Sequence, residues 1–143
     1  MPQILLEYSA NIKETIGFEN LFADIHNVMS NTGGARKENC KSRLLRHSNY
    51  YIGDGKPQNA FVHLEVQWLE GRTIEVVSTL GEELLALLKK YYQGVIENYN
   101  LQITVHIKDI HRRHYFKHPK GTFTELFKRK PRSFSVGKNA VPR

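Results

Sequence analysis

The stretch from residue 60 to residue 69 constrains the fold more than any other part of the chain. Apolar side chains occupy every second position and mostly polar ones lie between them, which is the pattern of a half-buried strand. Helical spacing follows from the cap residue Thr73 to about Ile96, and residues 101–107 alternate again. A strand, a long helix and a strand in this order predict a crossover unit with two parallel strands.

The first half of the chain has the same order of elements. Residues 4–8 and 41–47 are predicted strands, and a helix is predicted to start near Phe18 and end before Gly33. The expected fold is therefore an α/β sandwich (α+β in its layers), in which two β-α-β units form one four-stranded sheet with two helices on one face. We expect the uncovered face to be apolar enough, with Trp68 as one contributor, to need an oligomeric partner.

The net charge of +7 lies entirely at the end of the chain. Residues 117–143 hold eight Lys or Arg residues against Glu125, while residues 1–116 are neutral overall. We therefore predict a domain of residues 1–116 and a basic extension of residues 117–143, in which residues 122–127 dock on a neighbour and the chain beyond Lys128 is disordered. Because the charge is confined to a tail and does not form a basic face, nucleic acid is not the expected partner.

The remaining composition predicts a cytoplasmic protein with no membrane segment. No apolar run approaches the ~20 residues that span a bilayer. The first residues carry Glu7 where a secretory signal needs a basic and then an apolar region. The single cysteine, Cys40, cannot form an internal disulfide and is expected to pack as a small core residue.

Pro2 is the candidate catalytic residue. A small residue in second position normally allows Met1 to be removed, which would leave proline with a free secondary amine. Such an amine is a base, and burial can tune it towards neutral pH. The alternative is that proline is simply tolerated where a strand begins.

Lys41, Arg43 and Arg72 are the candidate substrate-binding cations. Lys41 and Arg43 are two residues apart on a predicted strand and so share a side, which suits a pair that binds one dianionic ligand. Arg72 precedes the helix cap Thr73, where helix N-termini favour anions. The alternatives are a solvated strand face for the pair and an ordinary turn arginine for Arg72. Seven histidines without a zinc-type arrangement predict no metal site.

Short fragments along the chain resemble the 5-carboxymethyl-2-hydroxymuconate Δ-isomerase family of the tautomerase superfamily. The resemblance runs without gaps to roughly Phe127 and is carried by residues 1–12, Leu21-Phe22-Ala23, Thr32-Gly33, Ser42-Arg43, Asp54-Gly55, Ala60-Phe61-Val62-His63, Gly71-Arg72 and Gly81-Glu82.

The resemblance implies a homotrimer with active sites between subunits and with the terminal proline as general base. It implies a cofactor-independent isomerase of aromatic-compound catabolism, which shifts a double bond in a 2-hydroxymuconate, a dicarboxylate or tricarboxylate enol. Pro2 would move the proton, and Lys41, Arg43 and Arg72 would hold the carboxylates and the developing oxyanion.

Three departures from the family pattern leave other functions open. Lys41 stands where family members carry arginine, Arg46 stands where an aromatic residue is expected, and the basic extension past Phe127 is unusual. One alternative is a tautomerase that acts on a different acidic conjugated substrate. Another is a non-catalytic module that binds nucleic acid or another anion through the basic tail.

Overall fold

Two strand–helix–strand units build the fold, as the sequence pattern predicts. This computed structural model describes residues 1–119. The elements in chain order are β1 (Gln3–Ser9), α1 (Phe18–Asn31), β2 (Lys41–His47), β3 (Asn59–Leu69), α2 (Ile74–Tyr91), α3 (Gln93–Asn98) and β4 (Asn100–Ile110), with 3-10 turns at Lys37–Asn39 and Arg112–His114.

The four strands form one mixed sheet in the order β2-β1-β3-β4. β1 is parallel to β2, and β3 is parallel to β4, so the two strands of each unit are parallel, as predicted. β1 and β3 pair in antiparallel register, with Leu6 opposite Leu64, and this pairing joins the two units. The predicted α+β sandwich is confirmed.

The core lies between one face of the sheet and the two long helices. The buried sheet residues alternate along each central strand, whereas those of the helices recur every four residues: Ile4, Leu6, Val62, Leu64 and Val66 from the sheet; Leu21, Ile25, Met29, Leu80, Leu84 and Leu88 from the helices. These two periods are the ones that the sequence pattern displays.

The face of the sheet that no helix covers carries apolar side chains, Leu5, Leu45 and Phe61, among polar and charged ones. Oε1 of Glu7 accepts a hydrogen bond from Nε2 of His47 at 2.8 Å, and Lys108 Nζ lies 3.2 Å from Glu65. The prediction that Trp68 contributes to this face is wrong. Trp68 follows the alternation of β3 onto the helix-covered face, where it is 1% exposed.

The second long helix is shorter than predicted. Helical spacing continues to about Ile96, but α2 ends at Tyr91 and α3 begins at Gln93. Tyr92, whose side chain is fully buried, has φ −103° and ψ 21°, which departs from helical backbone. A periodic pattern does not reveal such a break, because the residues on both sides keep their helical spacing.

The structure separates residues 1–112 from residues 113–143, and the described part of the second unit is residues 113–119. The predicted division into residues 1–116 and 117–143 stays a prediction. Both the docking segment of residues 122–127 and the tail beyond it lie outside the described residues. Within residues 1–119, none of the helices combines the length and the apolar character that crossing a membrane requires.

Gly33, just after α1, is required by a close approach between α1 and β3. A Cβ atom at this position would lie 2.7 Å from Cζ3 of Trp68 and 2.8 Å from the carbonyl oxygen of Met29. The second contact is with backbone, which cannot move aside. Glycine therefore allows the end of α1 to lie directly against the indole ring.

We predict that Gly33→Ala destabilises the protein by about 1–3 kcal/mol, because the added methyl group overpacks the contact with Trp68. Urea unfolding measures the change. The matched control is Gly94→Ala in α3, where a Cβ atom meets nothing within 4 Å. We expect it to be neutral or stabilising. Equal stability of the two variants would contradict the close-packing argument.

Candidate active site

The starts of β1 and β2 and the ends of β3 and β4 lie at the same end of the sheet. Because β1 and β3 are antiparallel, the start of β1 lies beside the end of β3. β2 starts beside β1, and β4 ends beside β3, because each is parallel to its neighbour. Residues that are far apart in sequence, including Pro2 and Arg72, are therefore gathered at this end.

A cleft of about 190 Å³ opens at this end of the sheet. Its walls come from the chain start, the loop after α1, the turn after β3 and the chain just past β4. The lining residues are Met1, Pro2, Gly34, Ala35, Arg36, Asn39, Trp68, Leu69, Arg72 and Arg112. Three of these residues are arginines, and none of the described lining residues is a carboxylate.

Pro2 is buried against the wall of the cleft at the start of β1. Its carbonyl oxygen accepts a hydrogen bond from the Lys41 backbone nitrogen at 3.1 Å, which ties it to β2. The amino group of Met1 donates to the Asn39 carbonyl oxygen at 3.2 Å. The sheet and the loop after α1 thus hold the chain start in a defined place.

Arg72 is the most firmly positioned cation of the cleft. Its Nε donates to the Gly33 carbonyl oxygen at 3.2 Å and its Nη1 donates to the Leu69 carbonyl oxygen at 2.9 Å. Its guanidinium carbon lies 4.2 Å from the centre of the Trp68 ring. Burial, and secondly the charge of Arg112, lower the pKa of Arg72, although Asp109 opposes this change. Arg72 nevertheless stays charged, because arginine side chains are effectively always protonated in proteins.

Trp68 is the platform on which this part of the cleft is built. Its ring contacts the guanidinium of Arg72, and its Nε1 donates to Oδ1 of Asp109 on β4 at 3.2 Å. Gly33 packs against the ring at Cζ3. One side chain therefore connects α1, β3, β4 and the cation of the cleft.

Arg36 and Arg112 complete the positive lining. Arg36 is exposed and forms an ion pair with Glu38 at 2.8 Å. Arg112 follows β4, and its Nη2 donates to the Glu70 carbonyl oxygen at 3.2 Å. The three guanidiniums make this cleft a place where an anionic ligand is favoured.

Lys41 and Arg43 are not among the residues that line this cleft. Lys41 is exposed, and its Nζ donates to the carbonyl oxygen of Asn39, a lining residue, at 3.1 Å. Arg43 is also exposed and donates through Nη2 to Oε1 of Gln3 at 2.8 Å. Both project from the helix-free face, whereas Ser42 between them contacts His26 of α1. Of the four predicted site residues, the described chain brings together Pro2 and Arg72.

Sequence reasoning missed Arg36, Asn39, Trp68 and Arg112. Arg112 had a usable signal, because β3 and β4 are parallel with Leu69 beside Ile110. Residues at the same distance beyond these two strands are neighbours, so Arg112 lies near Gly71 and Arg72. The sequence pattern ends β4 at residue 107, whereas the strand continues to Ile110 beside Leu69, so the pattern alone did not bring Arg112 next to Arg72. Within residues 1–119, no cluster of three or more His, Cys, Asp or Glu side chains is suited to hold a metal ion.

We predict that Arg72→Gln lowers the free energy of unfolding by about 1.5–3 kcal/mol, because it removes the charged donor of hydrogen bonds to two carbonyl groups. Trp68 is the only tryptophan of the chain, so its fluorescence reports on this contact. We expect its emission to shift to longer wavelength as the ring loses its cover. Arg46→Gln, an exposed position outside the cleft, is the control. Unchanged stability and emission in Arg72→Gln would show that Arg72 does not support the cleft.

Comparison with known proteins places the chain in a family. The family model described as 5-carboxymethyl-2-hydroxymuconate isomerase matches residues 2–121. The 5-carboxymethyl-2-hydroxymuconate Delta-isomerase of Escherichia coli is 28% identical over 117 residues, which cover 82% of this chain and 93% of that protein.

Solved structures agree with this assignment. The crystal structure of a 5-carboxymethyl-2-hydroxymuconate isomerase from Deinococcus radiodurans R1 is 25% identical, with a TM-score of 0.76 over 88% of this chain and 93% of that one. A fused 4-OT protein described as a symmetric trimer has a TM-score of 0.68 at 14% identity, over 87% of this chain and 98% of that one, and shares the fold. The chain belongs to the 5-carboxymethyl-2-hydroxymuconate isomerase family.

Proposed function

We propose that this protein is a cofactor-independent isomerase that shifts a double bond in a 2-hydroxymuconate-type acidic enol, with Pro2 as the base. The single observation that carries the proposal is the position of Pro2, which is buried in a cleft lined by three arginines and, among the described lining residues, by no carboxylate. Family membership supports the reaction class.

The reaction needs one group that accepts a proton and returns it elsewhere. After removal of Met1, the Pro2 nitrogen is a secondary amine with a lone pair. It takes the proton of the substrate 2-hydroxyl, and the O–H electron pair becomes a carbonyl π bond as the conjugated double bonds shift. The same proton then passes from Pro2 to a distal carbon of the chain. No proton or electron is gained or lost overall.

The arginines of the cleft contribute in two ways. A simple α-amino group has a pKa near ~8, and a nearby cation disfavours its protonated form. Arg72 and its neighbours therefore favour the neutral, basic form of the Pro2 amine. The same guanidiniums bind the carboxylates of the substrate and stabilise the negative charge that develops on the dienolate oxygen.

We propose a homotrimer, in which Lys41 and Arg43 serve the cleft of a neighbouring subunit. Within one chain neither side chain lines the cleft, and both are exposed on the helix-free face, where a neighbouring subunit can approach. β2 and β4 are edge strands that a second copy can cover. Beside β4, an apolar groove of about 410 Å³ runs between Leu85 of α2 and Ile103. A fold relative described as a symmetric trimer supports this assembly.

An isomerase with a different acidic conjugated substrate is the second candidate. It is favoured by Lys41, which keeps the charge of arginine but lacks its planar fork for a carboxylate. It uses the same base and the same cleft. A panel of enols that differ in the number of carboxylates separates the two candidates.

We predict that Pro2→Ala lowers kcat/KM for 2-hydroxymuconate by about 10²-fold or more, the usual contribution of a general base. Ultraviolet absorbance of the conjugated substrate follows the reaction. Pro57→Ala, at an exposed loop proline, is the matched control and is expected to keep the wild-type rate. The intact mass of the native protein must lack Met1. A retained Met1 with full activity, or a fully active Pro2→Ala variant, would overturn the role of Pro2.

We predict that Lys41→Gln and Arg43→Gln raise KM for 2-hydroxymuconate by about tenfold each, because each removes a charged hydrogen bond to a carboxylate. Light scattering is expected to give the mass of three chains of 16.6 kDa each for the wild type and both variants. Lys56→Gln, an exposed loop position, is the control. A monomeric wild type with full activity would exclude the shared site.

A further inference from the structure

We propose that Arg112 is a specificity-determining residue, which binds a second carboxylate of the substrate while Arg72 holds the reacting end. The cleft then selects conjugated acids with more than one carboxylate over those with a single one. This inference rests on the proposed function for the identity of the substrate, and it adds a residue and a basis for selectivity to that function.

Arg112 is held in place by the turn after β3. Its backbone nitrogen donates to Oε2 of Glu70 at 2.9 Å, and its Nη2 donates to the Glu70 carbonyl oxygen at 3.2 Å. The guanidinium therefore has a tether of its own. A Cβ atom at Gly71 would lie 3.7 Å from the same Nη2, so the side chain passes close over this turn.

The parallel register of β3 and β4 brings Arg112 beside Arg72. Leu69 and Ile110 are partners at the ends of the two strands, and the chain continues past both into the same cleft. Two guanidiniums side by side repel each other, and this repulsion is relieved when an anionic group binds beside each of them. Two carboxylates lie nearby and offset part of this repulsion: Asp109, which accepts from the Trp68 indole, and Glu70, which accepts from the Arg112 backbone.

The two cations are tethered to different carbonyl groups and present different donors. Arg72 uses Nε and Nη1 on Gly33 and Leu69, which leaves Nη2 without a hydrogen bond among the described residues. Arg112 uses Nη2 on Glu70, which leaves Nε and Nη1 without one among the same residues. Because the tethers differ, the two guanidiniums are not free to converge on one carboxylate. Two fixed cations in one cleft match two separate carboxylates.

The test uses two ligands that differ by one carboxylate. trans,trans-Muconate and sorbate share a six-carbon conjugated chain, but sorbate has a methyl group where muconate has its second carboxylate. Neither carries a 2-hydroxyl group, so neither is isomerised by the proposed reaction. Isothermal titration with the full chain gives the Kd of each ligand for the wild type, Arg112→Gln, Arg112→Lys and the control Lys90→Gln. Lys90 is exposed near the end of α2, about 24 Å along the helix from its start.

We expect the wild type to bind muconate about tenfold more tightly than sorbate, the effect of one charged hydrogen bond. Arg112→Gln should abolish this preference by weakening muconate binding alone. Arg112→Lys should keep part of it, and Lys90→Gln all of it. Loss of affinity for both ligands equally, or no preference in the wild type, would overturn the inference. The wild-type comparison and Arg112→Lys decide the matter even if Arg112→Gln does not fold.

This test measures ligand binding, whereas the proposed function is tested by turnover, so the two can fail independently. An Arg112-dependent preference for muconate in a protein without turnover of 2-hydroxymuconate would remove the isomerase proposal and keep the two-cation subsite. Pro2-dependent turnover without any Arg112-dependent preference would keep the isomerase proposal and remove the two-cation subsite. In the active enzyme, Arg112→Gln should lower kcat/KM for 2-hydroxymuconate about tenfold and leave that for phenylenolpyruvate, a monocarboxylate enol, unchanged.

Discussion

The antiparallel pairing of β1 with β3 is the interaction on which the rest of the structure depends. β1 is hydrogen-bonded on one side to β2 within its own unit and on the other side to β3 of the second unit. A parallel pairing at this junction would send the start of β1 and the end of β3 to opposite ends of the sheet. The antiparallel register instead places Pro2 in the same cleft as Arg72, so the topology assembles the site before any side chain is considered.

Three arginines give the cleft a positive charge, and hydrogen bonds to backbone carbonyl groups stabilise Arg72 and Arg112 there. Stacking on Trp68 is worth about 0.5–1 kcal/mol at a partly exposed site, while a hydrogen bond from a charged donor contributes about 1.5–3 kcal/mol. The carbonyl groups of Gly33 and Leu69 therefore do more than the indole to hold Arg72. Partial burial of the Arg72 guanidinium costs free energy through desolvation. An anionic ligand in the cleft would offset this cost, in agreement with the proposed chemistry.

The sequence predicted the elements well and the surroundings of individual side chains less well. The alternation of β3 and the four-residue spacing in α2 report which residues face the core, because both periods follow from backbone geometry. The same logic correctly put Lys41 and Arg43 on one side of β2. It did not say which side of the sheet Pro2 and its cleft occupy, so whether this pair meets Pro2 stays a prediction. Trp68 lies on the helix-covered face because it continues the alternation of Val66 along β3.

The sequence by itself determined the order of elements, the faces of the strands and helices, the family resemblance, and Pro2 and Arg72 as candidates. All of these follow from local periodicity or from residues read in order. Only the tertiary structure decided that Arg36, Trp68 and Arg112 line the cleft with them, that Trp68 lies on the helix-covered face, and that α2 breaks at Tyr92. These facts depend on strand order and register, which are set by packing between residues far apart in the chain.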